Sequence, residues 1–516
     1  MSCLVLLLAG PLGRLPWAHA GSFSFDPDKA ITQYVHQVWG LSEGLPQSTI
    51  RAVVQTTDGH LWLGTSEGLV RFNGVDFVTF ERSNTPAFEQ GHTITTLLED
   101  QAGILWTGTR GGGLAYLAQG RFERYGEPQG MSGQFVNALA QDEAGQLWVG
   151  TSDAGLFACR NGACRQYTTE NGLPSNLIRA VLIHEGVVWV GTDQGLARIQ
   201  EDAVQVFGVP DGLADAFVMA LYADRDGRLW VSTRGGLGWF DGPSFVPCST
   251  EEGWPAEVVW SMWQDEAGSL WLGLDQSGLA RYHDGRFERF TPEDGLSHGR
   301  VLALLVDREG SLWIGTEAGG LNRLRDSIFT TYTTREGLSN NIVRTVYEDA
   351  SGTLWIGNEG GVDQLKDGVL RPYATESELK STFVTSVYGD QRGALWVGTL
   401  GGGLSRFAGE STVHYSVEDG LPSNAVFSLH GGSDGSLWIG TDSGLSNFRQ
   451  GQFTTYTTDE GLSSNFITAL HEDRQGVLWV GTYDAGLNRL ADGQVTTFTT
   501  EDGLGSNIIS TLYEDA

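Results

Sequence analysis

The side chains here with the means to do acid–base chemistry are carboxylates, and they come in adjacent pairs such as Glu348-Asp349 and Glu472-Asp473. Two neighbouring carboxyls can divide the work of proton donor and acceptor when their surroundings drive their proton affinities apart. These pairs, however, recur in the same turn of one repeat after another, where one reaction centre would need a single pair. An Asp ahead of a Gly turn bonds its own backbone, so the pairs read as structural. The histidines are scattered at 19, 36, 60, 92, 184, 283, 298, 414, 430 and 471 without metal-ligand spacing. No serine nucleophile elbow, phosphate-cradling glycine loop, calcium-loop spacing or phosphoacceptor box stands out. Gly111-Gly112-Gly113 and Gly401-Gly402-Gly403 lie between strands and serve turns. The sequence thus points to no catalytic residue, no metal site and no cofactor.

What recurs is a tryptophan, at 62, 106, 148, 189, 230, 271, 313, 355, 396, 438 and 479, with intervals of 41 to 44 residues. Such a period means an array of one supersecondary unit. In Leu478-Trp479-Val480-Gly481-Thr482 the two-residue period of a strand puts Trp479 and Gly481 on one face and the other three on the opposite face. Both faces are largely apolar, which calls for sheets stacked on both sides. Four strands of about 5 to 6 residues with connections of about 4 to 6 account for the period, the length of a β-propeller blade. The expected fold is all-β, a tandem of β-propellers with four-stranded blades.

Tyr34 to Trp39 matches the end of a repeat, after a short polar lead-in over 21–30. As the fourth strand of the Trp313 blade it would close a seven-bladed first ring over 21–326. Asp326-Ser327 lacks the Gly-containing hairpin pair found in most blades, which fits that reading, although Asp202-Ala203 shows the same loss in mid-ring. Residues 327–516 then form a second, incomplete ring of four full blades and the start of a fifth, opened by Ile328 to Thr334. The inner strand Ile508 to Tyr513 comes just before the chain stops, one turn short of another Leu-Trp, so the natural chain is expected to continue.

The formal charge is −31, the pI is near 4.5, and Lys29, Lys366 and Lys380 are the lysines. That field excludes nucleic acid and anionic membrane surfaces as partners. Residues 1–20, with the apolar run Leu4 to Leu8 and the small residues of Ala18-His19-Ala20, read as an export signal cut before Gly21. Cys3 lies too near the start to be a lipoprotein cysteine. In an oxidising compartment Cys159 and Cys164, two positions from a central Asn161-Gly162 turn, face each other as a hairpin pair and form a disulfide. In a reducing one they are two half-buried thiols.

The loop Asp419-Gly420-Leu421-Pro422-Ser423-Asn424, the turn Glu99-Asp100-Gln101-Ala102-Gly103, the run Leu312-Trp313-Ile314-Gly315-Thr316 and the opening Trp39-Gly40-Leu41-Ser42-Glu43-Gly44-Leu45-Pro46 resemble the two-component-regulator propeller repeat. That repeat builds the periplasmic sensor of bacterial hybrid histidine kinases and some diguanylate cyclases. The resemblance covers nearly all of 34–516. It implies a periplasmic, non-catalytic, ligand-sensing region of an inner-membrane receptor, homodimeric at full length and joined to the membrane and a kinase or cyclase output only through a following C-terminal segment. The alternatives are a secreted propeller enzyme, such as a lyase or glycosidase, which would need one non-repeated acid/base constellation, and a protein-interaction scaffold.

A binding site belongs where the blades stop being copies. One position near the start of each inner strand varies while its neighbours stay apolar or small: Arg51, Thr95, Asn137, Arg179, Met219, Trp260, Leu302, Arg344, Thr385, Phe427, Thr468 and Ser510. In a propeller it lies at the channel mouth. Arg51, Asn137, Arg179, Trp260 and Arg344 are therefore candidates for holding a small polar ligand, anionic or saccharide; a merely tolerant position would vary in the same way. One blade junction is rich in aromatic residues, namely Trp239, Phe240, Trp254, Trp260 and Trp263. Trp254 stands where other loops have Leu, offering either a sugar-stacking ring or core packing.

Overall fold

The computed structural model describes residues 25–126, 129–249, 253–327 and 329–515. The segment 1–20, with its expected export signal and Cys3, lies outside the described residues. The chain is all-β, with eleven four-stranded antiparallel sheets linked by tight turns and short 3-10 segments, each sheet carrying one of the periodic tryptophans. No helix among the described residues is long and apolar enough to cross a membrane. The described residues fall into two compact units, one ending at Thr330 and the other starting at Thr331.

The glycine of each Leu-Trp-x-Gly-Thr strand explains how one sheet seats on the next. At Gly64, Gly108, Gly150, Gly191, Gly273, Gly357, Gly398, Gly440 and Gly481 an added Cβ would come within 2.5 to 2.9 Å of an Ile or Val side chain from the following segment. Contact that close leaves no room for any side chain, so the β-branched residue of one sheet fills the hollow left by the glycine of another. The tryptophan, on the same face, closes the rest of the seam: Trp148 packs with Val188, Val190 and Ala197, and Trp271 with Leu312, Ile314 and Leu324.

In the unit ending at Thr330 there are seven such sheets. Val35–Trp39 pairs with Leu321–Arg325, from Val35 opposite Arg325 to Trp39 opposite Leu321, as the fourth strand of the Trp313 sheet. That sheet packs in turn on the Trp62 sheet: Ile50 shares a core with Trp313 and Leu321, and a Cβ on Gly315 would lie 2.8 Å from Ile50 Cγ2 and 3.0 Å from the Ile50 carbonyl oxygen. The lead-in is less polar than its composition suggests. Phe25, Ile31 and Tyr34 are buried against Trp271, Lys29 pairs with Asp326 at 2.6 Å, and the Arg281 guanidinium donates to the Tyr34 hydroxyl, the Lys29 carbonyl and Glu288. Burial and the nearby carboxylates push the Tyr34 hydroxyl far above its ordinary pKa, with Arg281 opposing them.

One hairpin differs from expectation and another matches it. The Trp189 sheet keeps a tight turn without glycine, with Glu201 and Asp202 both at positive φ (49° and 70°) between Leu196–Gln200 and Ala203–Phe207. A short polar side chain tolerates that conformation better than most, so the hairpin is not lost there. Across Cys159–Cys164, Asn161 (φ 52°) and Gly162 (φ 76°) form the turn, Arg160 faces Ala163, and a disulfide joins the two cysteines with Cα atoms 4.0 Å apart.

In the unit from Thr331 there are four complete sheets. The expected strand over Ile328 to Thr334 is absent from its described residues 329–334, and the expected inner strand Ile508 to Tyr513 is absent too. Neither segment finds a ladder partner among the described residues, and strand structure needs one. Residues 508–513 nevertheless lie along the last sheet: Ile509 fills the Gly481 hollow and its N–H donates to the Thr482 carbonyl at 2.9 Å. The packing rule is testable at the seam between the Trp62 and Trp313 sheets. Gly315→Ala is expected to destabilise the unit by about 1–3 kcal/mol, read as a lower urea midpoint; an unchanged midpoint would show that the seam does not depend on the hollow.

Candidate functional site

The recurrent carboxylate is fully occupied with structure. In eight sheets an Asp six residues before the tryptophan accepts the indole N–H; Asp265 does so from Trp271 at 2.8 Å, Asp307 from Trp313 at 2.6 Å and Asp473 from Trp479 at 2.8 Å. Its other oxygen holds the turn: Asp473 Oδ1 accepts from Gln475 N at 3.0 Å and Val477 N at 2.9 Å. The Trp479 indole and the Val477 amide keep the Asp473 carboxyl below its ordinary pKa. Where the Asp is missing the pattern adapts, as when Trp62 donates to Thr56 Oγ1 at 3.1 Å. Among the described residues no group of three or more His, Cys, Asp or Glu side chains is arranged to hold a metal ion.

The variable position has a structural identity that the sequence does not reveal. In each of the eleven sheets it is the extra residue of a β-bulge in the first strand: Val136 pairs with Thr151 and Ala138 with Gly150, leaving Asn137 between them, and the same shift recurs at Arg51, Arg179, Trp260 and Arg344. A bulge releases its residue from the ladder and re-aims the side chain. Small residues use that freedom to stitch segments together. Thr385 Oγ1 donates to the Gly398 and Val426 carbonyls, and Asn137 Nδ2 donates to Ser152 Oγ at 2.6 Å and to the Ile178 carbonyl at 2.8 Å.

The larger candidates divide. Trp260 donates its indole N–H to Asp275 Oδ1 at 2.8 Å, and Asp275 also pairs with Arg300, which reaches Glu317 at 2.7 Å. Arg51 and Arg179 are half-buried, and the Nε of each is buried without a partner. Arg179 lies 4.9 Å over the Phe217 ring, whose centroid is 3.7 Å from the guanidinium of Arg234. Burial lowers the proton affinity of both Arg51 and Arg179; Arg110 lowers it further in each and Arg234 in Arg179, while Glu317 raises it in Arg51 and Asp193 in Arg179. Arg110 and Arg234 thus lie at the same end of the sheets as Arg51 and Arg179, although the bulge position does not contain them. Each directly follows the Thr that ends its tryptophan strand, a second variable position that also supplies Ser152, Asp193 and Glu317, and Asp275 after Leu274 where the Thr is replaced. That alternation of Arg, Ser and acid after the end of the tryptophan strand was the available signal.

Arg344 belongs to the other unit, where it pairs with Glu359 at 2.6 Å and lies 4.9 Å over Phe383. Trp254 is not at the mouth. It is 7% exposed, in a core with Trp230, Tyr282 and Phe287 at 4.5 to 5.3 Å between ring centroids. A cavity of about 420 Å³ lies at the turn end of the Trp62 and Trp313 sheets, lined by Gln55, Asp307, Glu309 and Arg323 among others, and Asp307 there is already bonded to Trp313.

Two substitutions check these assignments. Asp265→Ala strands the fully buried Trp271 N–H and should cost about 1–3 kcal/mol of stability; a neutral effect in urea unfolding would leave the carboxylate without its structural role. Trp254→Ala should cost about 3–5 kcal/mol through the cavity it opens. Trp260→Ala, at a half-exposed bulge, should cost clearly less in the same assay, and equal losses would put Trp260 in the core as well.

The sequence profile described as "Two component regulator propeller" matches residues 44–67, 130–153, 212–235, 295–318, 337–360, 378–401, 420–443 and 461–484. No curated protein gives a match. Among solved structures, the extracellular domain of the hybrid two component system BT3049 from B. thetaiotaomicron is 24% identical, covering 93% of this chain and 68% of that one with a TM-score of 0.82, and it shares the fold. The corresponding domain of BT4673 from the same organism is 20% identical over 91% of this chain and 73% of that one (TM-score 0.48). A virginiamycin B lyase from Staphylococcus aureus is 14% identical over 57% of this chain and all of its own (TM-score 0.46). Each matched segment carries the turn and the Trp-x-Gly-Thr strand, or its close variant, on which the sheets are built, and the chain belongs to the two-component-regulator propeller family.

Proposed function

We propose that this chain is the extracytoplasmic, ligand-sensing propeller region of a bacterial signal-transduction receptor, non-catalytic itself and coupled at full length to a histidine kinase or diguanylate cyclase output. The eight family repeats carry this reading. In it, residues 1–20 are an export signal and the sensor lies in the periplasm. Residues 21–326 form a seven-bladed propeller closed by the strand at 34–39, and residues 327–516 form part of a second propeller. The receptor is a homodimer, and its ligand is a small molecule or saccharide taken at the channel mouth of the first propeller.

The chemistry of the chain supports the reading. Its recurrent carboxylates are committed to indoles and turns, so they are poor candidates for proton transfer. The mouth, by contrast, presents different side chains from sheet to sheet, which suits recognition. A ligand held there acts on an output only by favouring one arrangement of the receptor over another. The cysteine hairpin gives a compartment test. Cells are treated with a thiol alkylator before lysis, and labelling is read peptide by peptide after denaturation. Cys248 should take the label, and Cys159 and Cys164 should take it only after reduction. Labelling of all three without reductant would mean a reducing compartment and would end the extracytoplasmic reading.

A further inference from the structure

Several arginines of the unit ending at Thr330 are paired with carboxylates, while others, including four at one end of the sheets, are not. Arg165 pairs with Asp202, Arg281 with Glu288, and Arg300 with both Asp275 and Glu317. Arg51, Arg110, Arg179 and Arg234 do otherwise. Among the described residues none of these four guanidinium groups donates a hydrogen bond or forms an ion pair, and the Nε atoms of Arg51 and Arg179 are buried as well. The chain carries 63 acidic residues against 32 basic ones, so a shortage of carboxylates does not explain it.

The four share one end of the sheets. Arg51 and Arg179 are the bulge residues of the Trp62 and Trp189 sheets, and Arg110 and Arg234 follow the terminal Thr of the Trp106 and Trp230 strands. Arg179 and Arg234 lie against the same Phe217 ring, which orients both forks. The facing carboxylates are Asp193, whose Oδ1 is buried without a partner, and Asp275 and Glu317, both already bonded to Arg300. Like charges gathered in a partly desolvated place repel one another, and a buried donor without a partner costs stability. An anion relieves both.

We propose that this mouth binds a small molecule bearing two or more anionic oxygen groups, carboxylate, phosphate or sulfate, through Arg51, Arg110, Arg179 and Arg234. The proposal deepens the sensor reading and rests on its assignment of the mouth as the ligand face. The guanidinium fork matches these groups in bidentate geometry. Donors from four sheets exceed what a single carboxylate can pair with, which selects a ligand with several such groups. A neutral sugar would leave the four charges unrelieved.

The probes are citrate and pyrophosphate, with cellobiose as the neutral comparison, titrated calorimetrically into the whole chain at matched ionic strength. Arg110 and Arg234 are exposed, so Arg110→Gln/Arg234→Gln removes charge without opening the core, and an unchanged unfolding midpoint checks this. Arg121→Gln, on an exposed outer strand, is the charge-matched control. The expected result is binding of at least one anion, weakened by about tenfold or more in the double variant and within about twofold of wild type in Arg121→Gln, with affinity falling as NaCl is raised. Failure of both anions to bind, or equal weakening by the control, overturns the proposal. Cellobiose binding that the double variant abolishes, with neither anion binding, would keep the mouth as the ligand face and reject only the anionic chemistry. The compartment assigned to the sensor is tested separately by the alkylation of Cys159 and Cys164.

Discussion

An indole can be buried between two sheets only if its single N–H finds an acceptor, and the rest of this architecture depends on how that need is met. The aspartate six residues earlier serves as acceptor and turn clamp together, with one oxygen on the indole and the other on the backbone of the turn that leads into the tryptophan strand. The strand's position is thereby fixed relative to its turn. The glycine two residues after the tryptophan then presents its bare backbone to an Ile or Val of the neighbouring segment. Aspartate, tryptophan and glycine are thus one device, which is why they recur together.

The same device explains which positions are free. Residues that clamp, pack or fill a hollow are held to a narrow range of side chains. The bulge residue and the residue after the terminal Thr are released from the ladder at one end of the sheet and are held to none. Asn137, Thr385 and Thr468 spend that freedom on stitching segments together. Arg51 and Arg179 do not, and among the described residues Arg110 and Arg234 likewise form no side-chain hydrogen bond or ion pair. Recognition in such a fold is confined to positions that the packing leaves unused.

The tryptophan period was sufficient to read the fold from the sequence, because one dominant buried side chain per unit outweighs the variation around it. Val35–Trp39 was legible as a terminal strand for the same reason: Trp39 and the loop after it copy the end of a repeat. What escaped was context that no single repeat contains. Glu201 and Asp202 make a tight turn without glycine because the flanking ladder imposes it. Phe25 looks like part of a polar leader until Trp271 supplies a surface to bury it. The segments 329–334 and 508–513 have strand-like composition but no ladder partner among the described residues. At the site, alignment of inner strands found Arg51 and Arg179 but passed over Arg110 and Arg234, which follow the end of a different strand and approach only through the fold. Trp254 was ambiguous in sequence because a ring for stacking and a ring for packing have the same composition, and its burial against Tyr282 and Phe287 identifies it with the core.

Charge distribution narrows what the mouth can admit. A formal charge of −31 sets up a field that opposes the approach of large polyanions, whose charges must come near much of the surface at once. A small anion meets that field only over a distance of about 8 Å at physiological ionic strength. At the proposed mouth, four guanidinium groups without ion-pair partners face Asp193 and the Arg300-bonded Asp275 and Glu317. On the proposed anion binding, the acidic exterior and the arginine-bearing opening would act together as a size filter, opposing long polyanionic chains while admitting compact anions.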